Sequence, residues 1–596
     1  MTQVAVQLGG QTVNTPGAYY QDNVSGTDTP IIGTLPPLLF IGNSFGGAPQ
    51  TIIKFATLQQ GQILMRNGPA AAFLPFMYNP STQVNGCSQV TFINCSRNTA
   101  ATLLLVNTTP ITALTFTTGD YGLPSNLMRL QLTADAITGV AVTVNDQFGN
   151  VTAVQNGVEY PLIFQYTGAA TTGITYVVAG TQGNATSITF SSGVSGETFV
   201  VNLGPAAHAT MAQVAATING SAFPWRCYVN SMPNMPSQLL DVKTGTFVTE
   251  LSSASIAVFG AGFYVGGATL YNGLWYWANN LTNGMITAVI TDSSAPVGFA
   301  PTQWLPFTGG TNVPPVSSDY ANALNLALTT PAWVVFCDSN STTVQALLEQ
   351  HVQTASSIPY RRFRRGVTGA SGPSGITMQQ AIAAAVGMNT KEMTFCYPGI
   401  YRTDTNTGVN TLYDALYLAA CVAGIMCGND PSLALTNKTI NCTGLEFDLD
   451  PFLDVGLLQD GGVLCAYLPD SSGVATLAAD VTTWQNDTNP ENEFNQQVAN
   501  RQFFAYGFIQ AMSPYTGTIA YGLSLVIQKN AAKNFLNSQV RGVNNNGVLA
   551  SWDPTTLVLN YNSNQQLVSV SVNQVFVGEV LFTLITTDVL PLNITA

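Results

Sequence analysis

The chain has 596 residues, of which 46% are apolar and 8% are charged, and its formal net charge is −13. This length is too great for a single hydrophobic core and predicts about three or four domains. The plentiful apolar residues exclude a disordered chain, and the scarcity of charge suggests that neighbours in an assembly cover much of the surface.

A short strand pattern stands near the start of the chain. Val4, Val6 and Leu8 alternate with polar or small residues, and a turn-rich stretch follows them. The basic start and apolar run of a signal peptide are missing here, so we expect a protein made in a cytoplasm. We interpret residues 1–30 as an arm whose strand has no partner nearby and pairs with another molecule.

The next two segments differ in their predicted pattern of secondary structure. Residues 31–108 open with the apolar strand "PLLFIG" and a glycine-rich turn, and we interpret them as the first part of a core domain. Residues 109–222 hold short alternating strands separated by Gly or Asn turns, a pattern typical of a β-sandwich or small barrel. We therefore predict an inserted all-β domain over 109–222.

Strands and helices alternate after the insertion. Over residues 223–440, this alternation predicts an α/β layer with a largely parallel sheet. The longest apolar run, residues 415–426, is well short of the ~20 residues that a membrane-spanning helix needs. Residues 441–577 are predicted as an α+β domain, and residues 578–596 as a C-terminal strand and arm.

Nine cysteines occur without C-x-x-C spacing, which argues against a zinc ribbon or redox motif. Six of them stand in apolar runs. We interpret them as free buried thiols, and leave open disulfides formed after release into an oxidising medium.

Motifs for catalysis are weak. The stretch "GNSFG" places Ser44 in a G-x-S-x-G pattern, but Gly and Pro residues extend the turn where a hydrolase needs a helix. Only His208 and His351 could serve as a base, and none of the six lysines follows a glycine as in a phosphate-binding loop. We expect no enzyme, no cofactor and no metal.

Two charged clusters remain. They are Arg361, Arg362, Arg364 and Arg365 on one side, and Glu446, Asp448 and Asp450 on the other. The arginines suit a solvated strand, a nucleic-acid patch or a contact with an acidic surface, and the acidic net charge opposes nucleic acid. The three carboxylates would share one face of a strand, and an exposed acidic edge is favoured there over a metal site.

Seven segments, in order along the chain, resemble the contractile-tail sheath proteins of bacteriophages. They are "TPGAYYQD" (15–22), "LLFIGNSFGGAPQTIIKF" (38–55), "LPFTGGTNVPPVSSDYANALNLAL" (305–328), "QQAIAAAVGMNTKEMTFCYPG" (379–399), "CVAGIMCGNDPSLALTNKTINCTGL" (421–445), "LLQDGGVLCAYL" (457–468) and "LAADVTTW" (477–484). Residues 109–222 lie outside this resemblance.

The resemblance implies an α+β and α/β multidomain fold, with a tail-sheath core, the inserted all-β domain and extended terminal arms. It implies hexameric rings that stack around a tail tube in the virion and contract to drive the tube through the host envelope. The implied partners are further copies of the chain, the tail tube protein, and the baseplate and tail terminator proteins, without nucleic acid or membrane insertion. The sheath of a phage-derived bacteriocin or of a secretion-type contractile injection system is the alternative.

The resemblance also implies contact sites. Family members exchange terminal arms that add strands to a neighbour's sheet. The candidate residues in this chain are Val4, Val6, Leu8, Val580, Phe582 and Leu584. The arginine cluster is expected to pair with an acidic tube surface or with the Glu446, Asp448 and Asp450 edge of a neighbour.

Overall fold

A computed structural model describes most of the chain in two compact units. The described residues are 6–8, 11–13, 37–66, 68–135, 137, 139–248, 262–292, 296–370, 376–404, 407–469, 473–486, 489–518, 522–542, 547–563 and 566–578. The core unit takes its residues from Met1–Ser44, Pro49–Ser96 and Pro315–Ala596, and the inserted unit from Phe45–Ala48 and Arg97–Pro314.

Short strands dominate the described residues. They are β1 (Val6–Leu8), β2 (Gln11–Val13), β3 (Leu38–Gly42), β4 (Ile52–Phe55), β5 (Val90–Asn94), β6 (Ala100–Val106), β7 (Thr112–Tyr121), β8 (Arg129–Ala134), β9 (Val140–Asn145), β10 (Val151–Gln155), β11 (Leu162–Tyr166), β12 (Thr175–Thr181), β13 (Asn184–Ser191), β14 (Phe199–Asn202), β15 (Trp225–Val229), β16 (Thr244–Thr246), β17 (Phe263–Gly267), β18 (Ile286–Ile290), β19 (Leu305–Pro306), β20 (Val334–Cys337), β21 (Arg365–Gly369), β22 (Met393–Tyr397), β23 (Ile400–Thr403), β24 (Asn410–Tyr413), β25 (Gly444–Leu445), β26 (Val463–Tyr467), β27 (Thr476–Leu477), β28 (Leu549–Trp552), β29 (Val558–Asn562), β30 (Leu567–Ser571) and β31 (Gln574–Phe576).

Several of the helices begin just after a side chain that caps their first turn. They are α1 (Leu58–Met65), α2 (Leu74–Tyr78), α3 (Met211–Gly220), α4 (Leu270–Asn279), α5 (Ser317–Ala327), α6 (Thr342–Ser356), α7 (Met378–Met388), α8 (Ala415–Gly428), α9 (Asp454–Asp460), α10 (Asn495–Met512) and α11 (Gly522–Gln539). Ser341, Thr377 and Asp414 each accept a backbone N–H from the first turn of the helix that follows. Such caps satisfy donors that the helix itself leaves unpaired.

An eight-stranded sheet organises the core unit, in the order β27-β26-β22-β21-β20-β3-β5-β4. The strands from β26 to β5 run parallel, and β27 and β4 add antiparallel edges. Leu38 and Phe40 point into a core shared with α8, whereas Leu39 and Ile41 point into a core shared with α5 and α6. A parallel layer is therefore present as predicted, but within the predicted range of 223–440 its strands begin only at β20, and residues 223–314 belong to the inserted unit.

The inserted unit is larger than predicted and is not purely β. It spans 97–314 rather than 109–222, and it contains α3 and α4. Strands beyond residue 222 complete its sheets, because β17 pairs with β11, β18 with β7 and β16 with β12. The predicted boundary at residue 222 lies where the regular succession of short strands ends. The later strands were missed because pairing between strands far apart in the sequence leaves no local sequence pattern.

Two further predictions need correction. The strand at Val6–Leu8 has a partner in its own chain, since it pairs antiparallel with Gln11–Val13. The boundary at residue 441 is not a domain boundary, because β26 and β27 extend the large sheet of the core unit.

All nine cysteines are free thiols. Eight are buried, and Cys442 is half-buried. They occupy apolar surroundings of the kind that their sequence context predicts.

Candidate contact sites

The arginine cluster divides into a buried pair and a surface pair. Arg364 and Arg365 lead into β21, which lies between β20 and β22 in the middle of the large sheet, and both side chains have no exposed surface. The prediction that these two arginines contact the tube or a neighbour is wrong for the described fold, because their guanidinium groups are enclosed by the chain itself.

Arg364 is held by acceptors from two helices and a loop. Its Nη1 donates to His351 Nε2 on α6 at 2.7 Å, and its Nη2 donates to the Ala327 carbonyl at 2.9 Å and to the Thr330 carbonyl. Burial and the charge of Arg364 lower the pKa of His351 to about 3, so the imidazole is neutral and accepts the bond. His351 is therefore a structural residue and neither a metal ligand nor a catalytic base.

Arg365 connects the sheet to the start of α10. Its guanidinium donates to the carbonyl and side-chain oxygens of Asn495 and to the Lys391 carbonyl. Burial lowers the pKa of Arg365 to about 10, an effect opposed by the nearby carboxylates of Asp480 and Glu392. The group stays protonated at neutral pH and fixes α10 against β21.

Arg361 and Arg362 are the surface pair. Arg361 is half-buried in a left-handed backbone conformation with φ of 55°, and Arg362 is exposed. Arg362 Nη1 donates to the Leu328 carbonyl at 3.0 Å, which leaves the rest of its guanidinium facing outward. The four arginines are therefore of two kinds. Arg364 and Arg365 are buried and hold the fold together, whereas Arg361 and Arg362 lie at the surface.

The three acidic residues do not share one strand face. The strand β25 ends at Leu445, so Glu446, Asp448 and Asp450 lie in the bend and loop that follow it. Glu446 turns back to accept the Gly399 N–H at 3.0 Å, whereas Asp448 and Asp450 are exposed. The predicted acidic edge is reduced to two carboxylates in a loop.

Exposed apolar side chains are the feature that sequence reasoning missed. On and beside α9 they are Phe452, Leu453 and Leu457, and on α11 they are Leu523, Val526 and Ile527. The spacing on α11, three and four residues apart, could have revealed one apolar helix face. It could not have revealed that this face lies on the surface.

The weak catalytic motif has no support. Ser44 is buried, and the chain after it continues through bends instead of entering a helix. Across the described ranges, no group of three or more His, Cys, Asp or Glu is placed to hold a metal ion. None of the described helices combines the length and apolar character that a membrane span requires.

Comparison with known proteins identifies the fold. Neither a protein-family model nor a curated protein sequence matches the chain. The sheath tail protein of Desulfitobacterium hafniense superimposes with a TM-score of 0.53 over 94% of this chain and 99% of its own, at 10% identity. The sheath tail protein of Listeria innocua gives a TM-score of 0.51 over 92% of this chain and 95% of its own, also at 10% identity.

The chain has the sheath tail protein fold. The resemblance predicted from sequence segments is confirmed at the level of the fold, as is its mixed α/β character. The match covers nearly the whole chain, so it includes the inserted unit as well as the parallel sheet.

Within this sheath fold, the described C-terminal strands have edges that no described strand covers, although the residue Val540 bridges Leu549 on β28. β28 pairs with β31 and β29 with β30, and in the described residues each pair forms a two-stranded sheet of its own. Such edges present unpaired backbone groups to an incoming strand. Of the predicted exchange residues, Val6 and Leu8 belong to β1, while Val4, Val580, Phe582 and Leu584 lie outside the described residues.

Proposed function

We propose that the chain is the sheath subunit of a contractile phage tail. Copies form hexameric rings that stack around a tail tube, and contraction of the stack drives the tube through the host envelope so that the genome is ejected. The observation that carries this proposal is the whole-length match to two sheath tail proteins, which extends over 94% and 92% of this chain.

The proposed partners follow from this role. They are further copies of the chain, the tail tube protein, and the baseplate and tail terminator proteins, in a virion assembled in the host cytoplasm. The low fraction of charged residues, 8%, supports this assembly, since a subunit that is packed on several sides needs few solvated charges. The work of contraction comes from subunit contacts that improve in the contracted state, as in other bistable packings, and not from an enzymatic step.

Strand exchange is the proposed link between subunits. The arm of residues 1–30 and the segment 578–596 supply strands, and the open edges of the C-terminal two-stranded sheets are suited to accept them. Main-chain hydrogen bonds of this kind hold while the attached units rotate.

The surface arginines are a second proposed contact. Arg361 and Arg362 pair with an acidic tube surface or with the exposed Asp448 and Asp450 of a neighbour. One exposed pair contributes only ~0–1 kcal/mol, but its repetition around a ring sets the register between rings.

Negative-stain electron microscopy tests this function. The full chain, alone or with its tube protein, is expected to form ring-striated tubes, and deletion of residues 1–20 is expected to abolish them. The Arg361→Glu/Arg362→Glu variant is expected to polymerise alone but to lose register on the tube. Globular particles that remain single in the presence of the tube protein contradict the proposal.

A further inference from the structure

Charges of opposite sign are segregated in the last third of the chain. Residues 439–493 contain ten Asp or Glu and no Lys or Arg, whereas residues 494–552 contain four Lys or Arg and no Asp or Glu. In a chain with so few charges, this division creates two local fields of opposite sign. Each segment also exposes a helix with apolar side chains on its surface.

The first of these surfaces surrounds α9. Phe452, Leu453 and Leu457 are 92%, 67% and 54% exposed. Exposed Asp448, Asp450 and Asp460 stand around them. We call these six residues the acidic apolar face.

Local hydrogen bonds hold this face outward. The Asp450 carboxylate accepts the N–H groups of Phe452 at 2.7 Å and Leu453 at 3.1 Å, and Asp454 accepts the Asp450 N–H at 3.0 Å. Val455 and Leu458 anchor the helix in a buried cluster. Because the turn is fixed before any partner arrives, little conformational entropy is lost on binding.

The second surface lies on α11. Leu523, Val526 and Ile527 are 60%, 54% and 47% exposed, at the spacing that places them on one face of a helix. The opposite face is buried through Gln528, Ala532, Leu536 and Gln539. Exposed Lys529 and Lys533 stand beside the apolar residues, and neither has a carboxylate partner within the described residues. We call these five exposed residues the basic apolar face.

We propose that the acidic apolar face of one copy binds the basic apolar face of a neighbouring copy. Each face combines exposed apolar area with charge of one sign, and the two signs are complementary. Two copies of the same face are not expected to bind each other, because such an isologous contact would bring charges of the same sign together. A contact between two different surfaces is head-to-tail, which generates rings or helical stacks instead of closed dimers.

This inference rests on the proposed self-assembly and adds the surfaces that mediate it. Because it assigns Asp448 and Asp450 to the basic apolar face, it leaves the acidic tube surface as the partner of Arg361 and Arg362. Strand exchange links copies through the terminal segments of the chain, whereas this contact joins side-chain surfaces on the described helices. The two links can therefore be tested separately.

Cysteine cross-linking of mixed copies tests the contact. One preparation carries Leu453→Cys and the other Val526→Cys, in a chain whose own thiols are buried except for the half-buried Cys442. A short bis-maleimide is expected to give a covalent dimer only in the mixture. The matched control replaces Val526→Cys by Val386→Cys, which is 44% exposed on α7 and lies on neither face.

Charge reversal tests the chemistry of the same contact. Asp448 and Asp460 are the sites to change on the acidic face, because the hydrogen bonds that hold the turn come from Asp450 and Asp454. Asp448→Lys/Asp460→Lys or Lys529→Glu/Lys533→Glu alone is expected to reduce the cross-linking rate about tenfold or more. The chain with all four changes keeps the net charge of the natural one and is expected to regain the cross-link.

The outcomes separate this inference from the proposed function. Ring-striated tubes without the cross-link overturn the inference and leave the sheath function standing. The cross-link without tubes supports the contact and overturns the sheath function. A chain that gives no tubes and no cross-link overturns both proposals. Homodimers of either single variant, or cysteines at 453 or 526 that a thiol reagent cannot reach in the dilute monomer, also overturn the inference.

Discussion

At Arg364, acceptors from several elements surround the end of one buried guanidinium. The neutral His351 ring and the carbonyls of Ala327 and Thr330 receive its hydrogen bonds. Removing the guanidinium leaves these acceptors without donors in the interior, where unsatisfied polar groups are costly. Arg362, two residues earlier, offers a matched comparison because it is exposed.

We expect Arg364→Ala to destabilise the core unit by about 3 kcal/mol, which in a unit of this size corresponds to a fall in Tm of roughly 4 °C. Arg362→Ala is expected to change Tm by less than about 2 °C. Thermal unfolding followed by circular dichroism measures both. Equal shifts in the two variants contradict the assignment of Arg364 to the interior.

Glu159 is expected to make the stability of the inserted unit depend on pH. Its carboxylate is buried and accepts the Phe299 N–H at 2.7 Å, and burial raises its pKa to about 7. Asp241 raises this pKa further, whereas Lys243 lowers it. The ordinary value of 4.5 applies when the chain is unfolded, so the folded unit binds the proton more tightly than the unfolded one.

The protonated Glu159 carboxyl therefore makes its full contribution to the free energy of unfolding below about pH 4.5. This contribution is lost as the pH rises through about 7. The Glu159→Gln variant keeps an acceptor for the Phe299 N–H without a charge. Its Tm is expected to exceed that of the natural chain by a few degrees at pH 8 and to match it at pH 4.5. A difference that stays constant over this pH range contradicts the assignment.

At the scale of elements, close approach of backbones fixes how α8 packs. A Cβ atom added at Gly424 on α8 would lie 2.3 Å from the Met77 carbonyl oxygen on α2. No side chain fits at that distance, so the residue at position 424 sets the spacing of the two helices. At Gly387 on α7, by contrast, an added Cβ meets nothing within 4 Å.

The same substitution is therefore expected to have opposite effects at these two positions. Gly424→Ala lowers the free energy of unfolding by about 1–3 kcal/mol because the helices must separate. Gly387→Ala raises it by up to about 1 kcal/mol because alanine favours the helix. Urea titration of both variants measures the two changes, and destabilisation of both equally counts against the α2–α8 contact.

At the scale of the whole molecule, short-range sequence patterns predicted the secondary structure, but they did not predict which strands far apart in the sequence pair with each other. The alternation of strands and helices over residues 223–440 indicated the parallel sheet, because strands and helices have different sequence periods, although the sheet's strands in that range begin only at β20. The extent of the inserted unit was missed, since β11 pairs with β17 about a hundred residues later. The burial of Arg364 and Arg365 was missed because consecutive charges usually lie in solvent, and only the folded chain shows the carbonyls that surround them.

The interior position of the thiols has a consequence for their reactivity towards oxidants. The thiolate is the form that oxidants attack, and burial raises the pKa of Cys87, Cys421 and Cys465 to about 12. These sulfur atoms stay protonated and shielded at neutral pH. Oxygen dissolved in water would therefore leave these three thiols unchanged, and the half-buried Cys442 would be the first cysteine to react.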